Sequence, residues 1–212
     1  FNNVQFTTVS TSTTITIDGT NDYGESFSNQ GMSIEDYLKH IYEIPASWPS
    51  EALKAQAIAA RSEALAYTNN GAKSICPNQH CQEAKTELNS QALVDAVNAT
   101  AGQVMTYNGN PISAWFSSTA GGYTHSAASI GWSDTPYTKT AADASGNVNS
   151  FSDLQSTAYD KASPWFYCDW GSRSQNSGTA WLKPDELADI VNVILLAKAD
   201  SGTVKHLSQP DK

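Results

Sequence analysis

Apolar and polar positions along this chain follow two different periods. From Val9 to Asp18 they alternate, with β-branched Thr13, Thr14, Ile15, Thr16 and Ile17 in series, which predicts a strand closed by an Asp18-Gly19 turn. The period then lengthens. Ser33 stands as a cap with Asp36 three residues on, and Ile34, Tyr37, Leu38 and Ile41 recur at helical spacing. Pro45 restricts the residue before it, so this first helix stops near Glu43. Pro49 opens a second helix at the favoured first-turn position, with Glu51 behind it. That helix runs through an alanine-rich stretch to Tyr67 and stops at Asn69-Asn70-Gly71. A third helix spans Ser90 to Thr100 and ends at Gly102. Val104–Tyr107 and Ile112–Phe116 flank Asn108-Gly109 and read as a hairpin, with Asn110-Pro111 making its loop longer than two residues. Ala141 to Ser156 is polar and rich in Gly, Asn and Ser, and reads as an excursion loop. The last helix starts at Pro184 and carries Leu187, Ile190, Val191, Ile194 and Leu195 on one stripe.

Helices mixed with hairpins, and no repeating strand–helix–strand unit, predict an α+β fold with a helical core packed against β-hairpins. Residues 1–30 form a β segment that is part of the domain. Residues 31–140 form the core, and 141–212 a C-terminal extension whose terminal helix packs on that core. The 212 residues suit one compact domain or a core with an appendage.

Charge narrows the choice of partner. Twelve basic against 21 acidic residues leave a net charge of −9, which excludes the basic footprint of a nucleic-acid binder and disfavours anionic lipid. No apolar run approaches the ~18 residues of a transmembrane helix, so no membrane insertion is expected. The chain opens at Phe1 without a visible signal peptide and reads as a trimmed or mature fragment, leaving any signal, anchor or further domain to a missing N-terminal segment. Charged residues make up only 16%, a composition common on extracellular surfaces.

Several residues can carry chemistry. Glu43 lies among apolar neighbours at the end of the first helix. The partial negative charge there and the apolar surroundings both disfavour a carboxylate. Both raise its pKa toward what a general acid needs; the alternative is a partly exposed Glu in a turn. Arg61 shares a face with Leu53, Ala57 and Leu65, so it either meets a carboxylate in a buried ion pair or lines a polar cleft. The segment Ser117 to His125 is hydroxyl-rich with paired glycines, suited to sugars or polar backbones or to an ordinary polar loop. Cys76, His80 and Cys81 cluster. A short Cys76–Cys81 disulfide is expected, a three-ligand zinc site without a clear fourth ligand is the alternative, and free thiols are the remaining state. No cofactor is expected unless that zinc site forms. Trp132, Tyr137, Trp165, Phe166, Tyr167, Trp170 and Trp181 make the later chain aromatic; such rings fill cores or stack on sugars, and core packing is the expectation.

The run from Tyr37-Leu38 through Glu43-Ile44-Pro45 to Trp48, and then Glu51-Ala52-Leu53-Lys54-Ala55-Gln56-Ala57-Ile58-Ala59-Ala60-Arg61, resembles the signature of the stage II sporulation protein D family, or SpoIID/LytB domain. Ala96 to Gly102, Tyr107-Asn108-Gly109 and Ser117 to Thr124 fit as well, so the resemblance covers about residues 30 to 140. Family members include lytic transglycosylases that cut peptidoglycan and enhancers of a cell-wall amidase. The resemblance implies an extracellular or wall-associated protein acting on peptidoglycan glycan strands, with a cell-wall amidase as the alternative partner. It maps the catalytic Glu onto Glu43, with Ile44 in place of the usual Met. It implies that Ser118, Thr119, Gly121, Gly122 and Thr124 hold acetamido and hydroxyl groups, and that Gln56 and Arg61 line or brace the cleft. Some sporulation members carry zinc near the Cys76, His80, Cys81 position. The implied reaction uses one carboxyl as acid and then base, giving 1,6-anhydro sugar ends. The competing class is a non-catalytic glycan-binding or amidase-activating module.

Overall fold

A computed structural model describes residues 3–117, 120–162 and 184–199. It mixes helices with small antiparallel sheets, an α+β architecture. Strand β1 (Val4–Thr8) pairs with β4 (Gln103–Tyr107), and β4 pairs with β5 (Asn110–Pro111). Strands β2 (Thr14–Thr20) and β3 (Ser26–Ser33) form a separate hairpin, and β6 (Tyr123–Thr124) pairs with β7 (Ala141–Ala142). The helices are α1 (Ile34–Lys39), α2 (Ser50–Thr68), α3 (Gln91–Ala99), α4 (Phe151–Thr157) and α5 (Pro184–Ala199).

Alternation places Ile15 and Ile17 of β2 in the core, where they meet Ile34, Tyr37 and Leu38 of α1 and Ala57, Ala60, Ala64 and Leu65 of α2. The alanines of α2 let α3 and β4 approach its face closely. Ser33 caps α1 by accepting from the Asp36 N–H at 3.1 Å. Asn69 ends α2 in the left-handed region, which Asn tolerates better than most residues.

The strand expected over Val9–Asp18 begins later, at Thr14, and runs through Asp18-Gly19 to Thr20. Hydroxyls of Ser10 and Thr13 turn the chain before it, and Thr13 N–H donates to the Ser10 carbonyl at 3.3 Å. Asp18-Gly19 is a bulge within the strand rather than its end. The Asn108-Gly109 loop has two residues, since Tyr107 pairs directly with Asn110. Asn108 (φ 50°) and Gly109 (φ 80°) both supply the positive φ such a turn needs. The second strand is correspondingly short. It ends at Pro111 on the sheet edge, and Ile112–Phe116 leaves the sheet after one bond from Ile112 N–H to Met105 O. The expected excursion loop contains β7 and all of α4 but its last residue, and Ser150 and Asp153 form a capping box at the start of that helix. The α5 stripe is open against the described residues, with Leu187, Ile190, Val191, Ile194 and Leu195 each 44–59% exposed. Among the described residues, no helix is long and apolar enough to cross a membrane. Cys168, His206 and the aromatics from Trp165 to Trp181 lie outside the described residues.

Arg61 is fully buried. Its Nε and Nη2 donate to the two Glu35 carboxylate oxygens at 2.9 and 2.7 Å. Its Nη1 also reaches the Gln103 carbonyl at 3.0 Å, and Nη2 the Val97 carbonyl at 3.3 Å. Glu35 in turn accepts from the Gly102 N–H at 2.9 Å, where Gly102 has φ +72° and a Cβ would stand 2.8 Å from the Val9 carbonyl. Removing the carboxylate in Glu35→Ala leaves a buried guanidinium without its counter-charge. We expect a loss of about 3–5 kcal/mol in denaturant unfolding. Lys39→Ala, which breaks the surface pair with Asp36, should cost no more than about 0.5 kcal/mol.

Candidate active site

Helix α1 ends at Lys39 with His40 as its cap, four residues before Glu43. Glu43 therefore sits in a turn beyond the helix, and the expected helix-end effect is not what perturbs it. The turn is pinned to a remote segment. Ile41 bridges Ala84, Tyr42 N–H donates to the Glu83 carbonyl at 2.8 Å, and Glu83 N–H donates to Glu43 Oε1 at 2.6 Å. On the other side Ile44 and Trp48 pack on Leu53, Leu93 and Ala96. Burial raises the pKa of Glu43, and the Glu83 N–H partly offsets this by favouring the carboxylate.

Two further carboxyls lie nearby in the fold, neither of them legible as such in the sequence. Glu83 is buried, with both carboxyl oxygens out of solvent. Burial raises its pKa, and the Asp22 and Glu43 carboxylates raise it further. Glu63 on α2 is also raised by burial, against the opposing Ala114 N–H. Tyr37 is fully buried and senses the charges of both Glu43 and Glu63, which add to burial in holding its hydroxyl protonated. Its hydroxyl donates to Gln82 Oε1 at 2.8 Å, while Gln82 Nε2 donates to the Ala60 carbonyl at 3.1 Å. Gln82 thus ties the Glu83 segment to α1 and α2. Only its place next to the cysteine cluster could have drawn attention to Glu83.

Cys76 and Cys81 are joined by a disulfide at the head of that same segment. The bond takes the two thiols that a three-ligand zinc site would require, leaving exposed His80 as the one remaining group, so this state does not suit the metal. Among the described residues, no group of three His, Cys, Asp or Glu side chains could hold a metal ion.

The other sequence-derived site residues are dispersed. Arg61 belongs to the core ion pair and has no surface to offer a ligand, which corrects its assignment to the cleft. Gln56 is buried on α2, its Nε2 without a hydrogen-bond partner among the described residues. Ser118 and Thr119 lie outside the described residues. Gly121 donates its N–H to Asp160 Oδ2 at 2.6 Å, and the Gly122 carbonyl accepts from Asp143 N–H at 2.8 Å, so both brace the fold of their loop. Thr124 lines a groove of about 790 Å³ together with Trp115, His125, Trp132 and Tyr159. Glu43 is not among the residues lining it. Trp115, Phe116 and Tyr159 went unmarked in the sequence, and Trp132 was expected to serve core packing; it is 54% exposed.

Glu51 and Asp36, the other acids flanking Glu43 in sequence, serve surface roles: Glu51 pairs with Lys54 and Asp36 with Lys39 and the Ser33 cap. A carboxyl whose folded pKa is raised holds stability that is fully present below its unfolded pKa and is withdrawn as pH rises through the folded one. Glu83→Gln should therefore raise the thermal midpoint relative to wild type at about pH 8, with the gap closing toward about pH 4. A midpoint difference that grows on acidification would refute this assignment of the buried acid.

Known proteins resemble this segment in sequence. Residues 24–107 match the family model described as SpoIID, stage II sporulation protein. Stage II sporulation protein D of Bacillus subtilis is 35% identical over 133 residues, covering 53% of this chain and 39% of that protein. The Bacillus amyloliquefaciens protein of the same name is 32% identical over 133 residues, with the same 53% and 39% coverage. The amidase enhancer of Bacillus subtilis is 38% identical over 95 residues, 45% of this chain and 13% of that protein. The chain thus spans well under half the length of these relatives. The matched segment holds Glu43, Glu83, the disulfide and the Arg61–Glu35 pair, and it is this part of the chain that is similar to the SpoIID family.

Proposed function

We propose that this chain acts on the bacterial cell wall as a lytic transglycosylase, cutting the β-1,4 bond from N-acetylmuramic acid to N-acetylglucosamine. The observation that carries the reading is Glu43: a half-buried carboxyl, raised in pKa by burial, with Oε1 held by the Glu83 N–H and Oε2 making no hydrogen bond among the described residues. Such a group holds its proton nearer neutrality than a solvated Glu and presents it in one orientation.

In the reaction, protonated Glu43 gives its proton to the bridging oxygen as the muramic C1–O bond breaks. The N-acetylglucosamine leaves as an alcohol. The Glu43 carboxylate then takes the proton of the muramic 6-hydroxyl, whose oxygen bonds to C1 and closes the 1,6-anhydro ring. Glu43 ends protonated, and no water is consumed. A hydrolase would use a second carboxyl within reach of the sugar. Glu83 senses Glu43 but keeps both carboxyl oxygens buried, which supports a single-carboxyl course.

The likeness to an amidase enhancer favours one second reading, a module that binds glycan and stimulates a cell-wall amidase without turnover. Mass spectrometry of peptide-stripped glycan strands separates the two. Wild type should yield anhydro-muramic ends, and Glu43→Gln should lower their rate by about 10²–10⁴-fold. Reducing ends would indicate hydrolysis. Absence of products, together with faster peptide release by an added amidase, would favour the module.

The free enzyme must begin with Glu43 protonated. Its kcat/KM should hold on the acid side and fall as pH rises through the elevated Glu43 pKa. Initial rates of anhydro-end formation across a pH series check this; a rate that climbs with pH through that range would exclude Glu43 as the acid.

A further inference from the structure

The sheet of β1, β4 and β5 has an open side. Among the described residues β1 pairs with β4 alone, and the far edge ends at Pro111, which has no N–H to offer a further strand. Gln5 and Val9 turn inward to the sheet. The Gln5 carbonyl accepts from Thr106 Oγ1 at 3.4 Å, and Val9 N–H donates to the Gly102 carbonyl at 2.9 Å. Strand alternation then points the main-chain groups of Val4, Phe6 and Thr8 away from β4. Such a row is a template for pairing with another chain.

Edges that stay unpaired carry charge, proline or a bulge. Strand β1 has none of these. Its register with β4 runs unbroken from Val4 opposite Tyr107 to Thr8 opposite Gln103. No residue of β1, β4 or β5 is charged, although the chain as a whole carries −9. Phe6, at the middle of the strand, is 69% exposed. It stands between two hollows of about 420 and 510 Å³, both also lined by Met105. Ala59 and Ile112 line the first, Ala55 and Ile58 the second, so the surface beside Phe6 is largely apolar. The Lys and acidic side chains lining them are Lys139 in the first and the Glu51–Lys54 pair in the second.

We propose that the β1 edge is a self-association surface, on which β1 of a second copy pairs antiparallel about a two-fold axis through Phe6. In that register the strand is complementary to itself. Phe6 falls opposite the partner's Phe6, Gln5 opposite the partner's Thr7, and Val4 opposite the partner's Thr8. The outward groups of Phe6 exchange both main-chain hydrogen bonds with their own image, and those of Val4 do so with those of Thr8. The two rings form a cross-strand aromatic pair, and no like charges meet. Charge selects the occupant. Two chains of −9 repel, and an uncharged sheet lets them approach without setting acid against acid. The contact is isologous, so it closes at two copies. An extended segment of another protein could add to the same edge, but the symmetry of the register about Phe6 favours a copy. Glu43 lies neither on β1 nor in its two hollows, so the inference does not depend on the lytic reading.

The test is sedimentation equilibrium of the wild-type chain from about 1 to 500 μM. The average mass should rise from one chain toward two, with a Kd of about 10–100 μM, as suits a strand-edge contact burying less than ~1,200 Å². Added salt should tighten the pair slightly, because it screens the repulsion between the two net charges. Phe6→Lys sets like charges directly opposite and should weaken pairing about tenfold or more, as should Phe6→Glu. An equimolar mixture of the two variants should pair again, because the facing charges are then opposite. Phe6 is mostly in solvent, so thermal midpoints should stay close to wild type and show both variants folded. Oxidative cross-linking in a Cys168→Ser background reads the register. Phe6→Cys should join copies, since facing Cα atoms ~5.5 Å apart accept a disulfide. Gln5→Cys should not cross-link to itself, yet should cross-link to Thr7→Cys chains.

A mass of one chain across the whole range would overturn the proposal. So would a dimer that both charge variants leave intact, which would put the contact elsewhere, first on the exposed apolar stripe of α5. Folded Phe6→Lys and Phe6→Glu chains that stay apart when mixed would refute it, as would Gln5→Cys cross-linking to itself as fast as Phe6→Cys does. The two readings fail separately. Absence of anhydro products leaves the mass and cross-linking results standing, and a monomeric wild type leaves the chemistry at Glu43 standing.

Discussion

The buried guanidinium of Arg61 is the constraint on which the rest of this domain depends. A fully buried charge is tolerated only when its hydrogen bonds are complete and a counter-charge is at hand. Glu35 of α1 supplies the counter-charge, and main-chain carbonyls from α3 and β4 take further donors. One side chain on α2 therefore fixes where α1, α3 and β4 stand. The same carboxylate holds the Gly102 N–H, which brings the α3–β4 turn against Val9. Such an arrangement admits little variation in helix position. That rigidity matters because the turn carrying Glu43 emerges directly from α1.

Glu43 is then tuned by what covers it. Its proton affinity is raised by loss of water, not by the end of a helix, and is moderated by one main-chain donor. The donor belongs to Glu83, whose own carboxyl is buried beside it. Burying several acids in one region works against folding at neutral pH, because each must be held protonated or pay for its lost hydration. Gln82 and the Cys76–Cys81 disulfide hold the donor segment in place, so the geometry at Glu43 does not depend on α1 alone.

Legibility varied from element to element for physical reasons. Helices α2 and α3 could be read closely because their boundaries are written in local chemistry: Ser90 as a cap, Asn69 in the left-handed region, apolar residues at helical spacing. The β2 strand was displaced because hydroxyl-mediated turns compete with extended structure over Ser10–Thr13. The Asn108-Gly109 loop came out shorter because Asn110 could pair in spite of its proline neighbour. Helix α4 was missed although its capping box, Ser150 with Asp153, was present in the sequence.

The sequence by itself determined the family motif, the α+β class, the core-forming faces and Glu43 as the group to watch. Those properties follow from neighbours along the chain, which is why a linear reading reaches them. It could not decide between the two roles left open for Arg61, because both put a cation on an apolar face. Nor could it show that Glu83, forty positions beyond Glu43, supplies the N–H that holds it, or that Trp115, Trp132 and Tyr159 turn outward into one groove. These are contacts between segments distant in sequence. Burial, pairing and exposure depend on what the fold brings alongside a residue, and only the tertiary structure decided them.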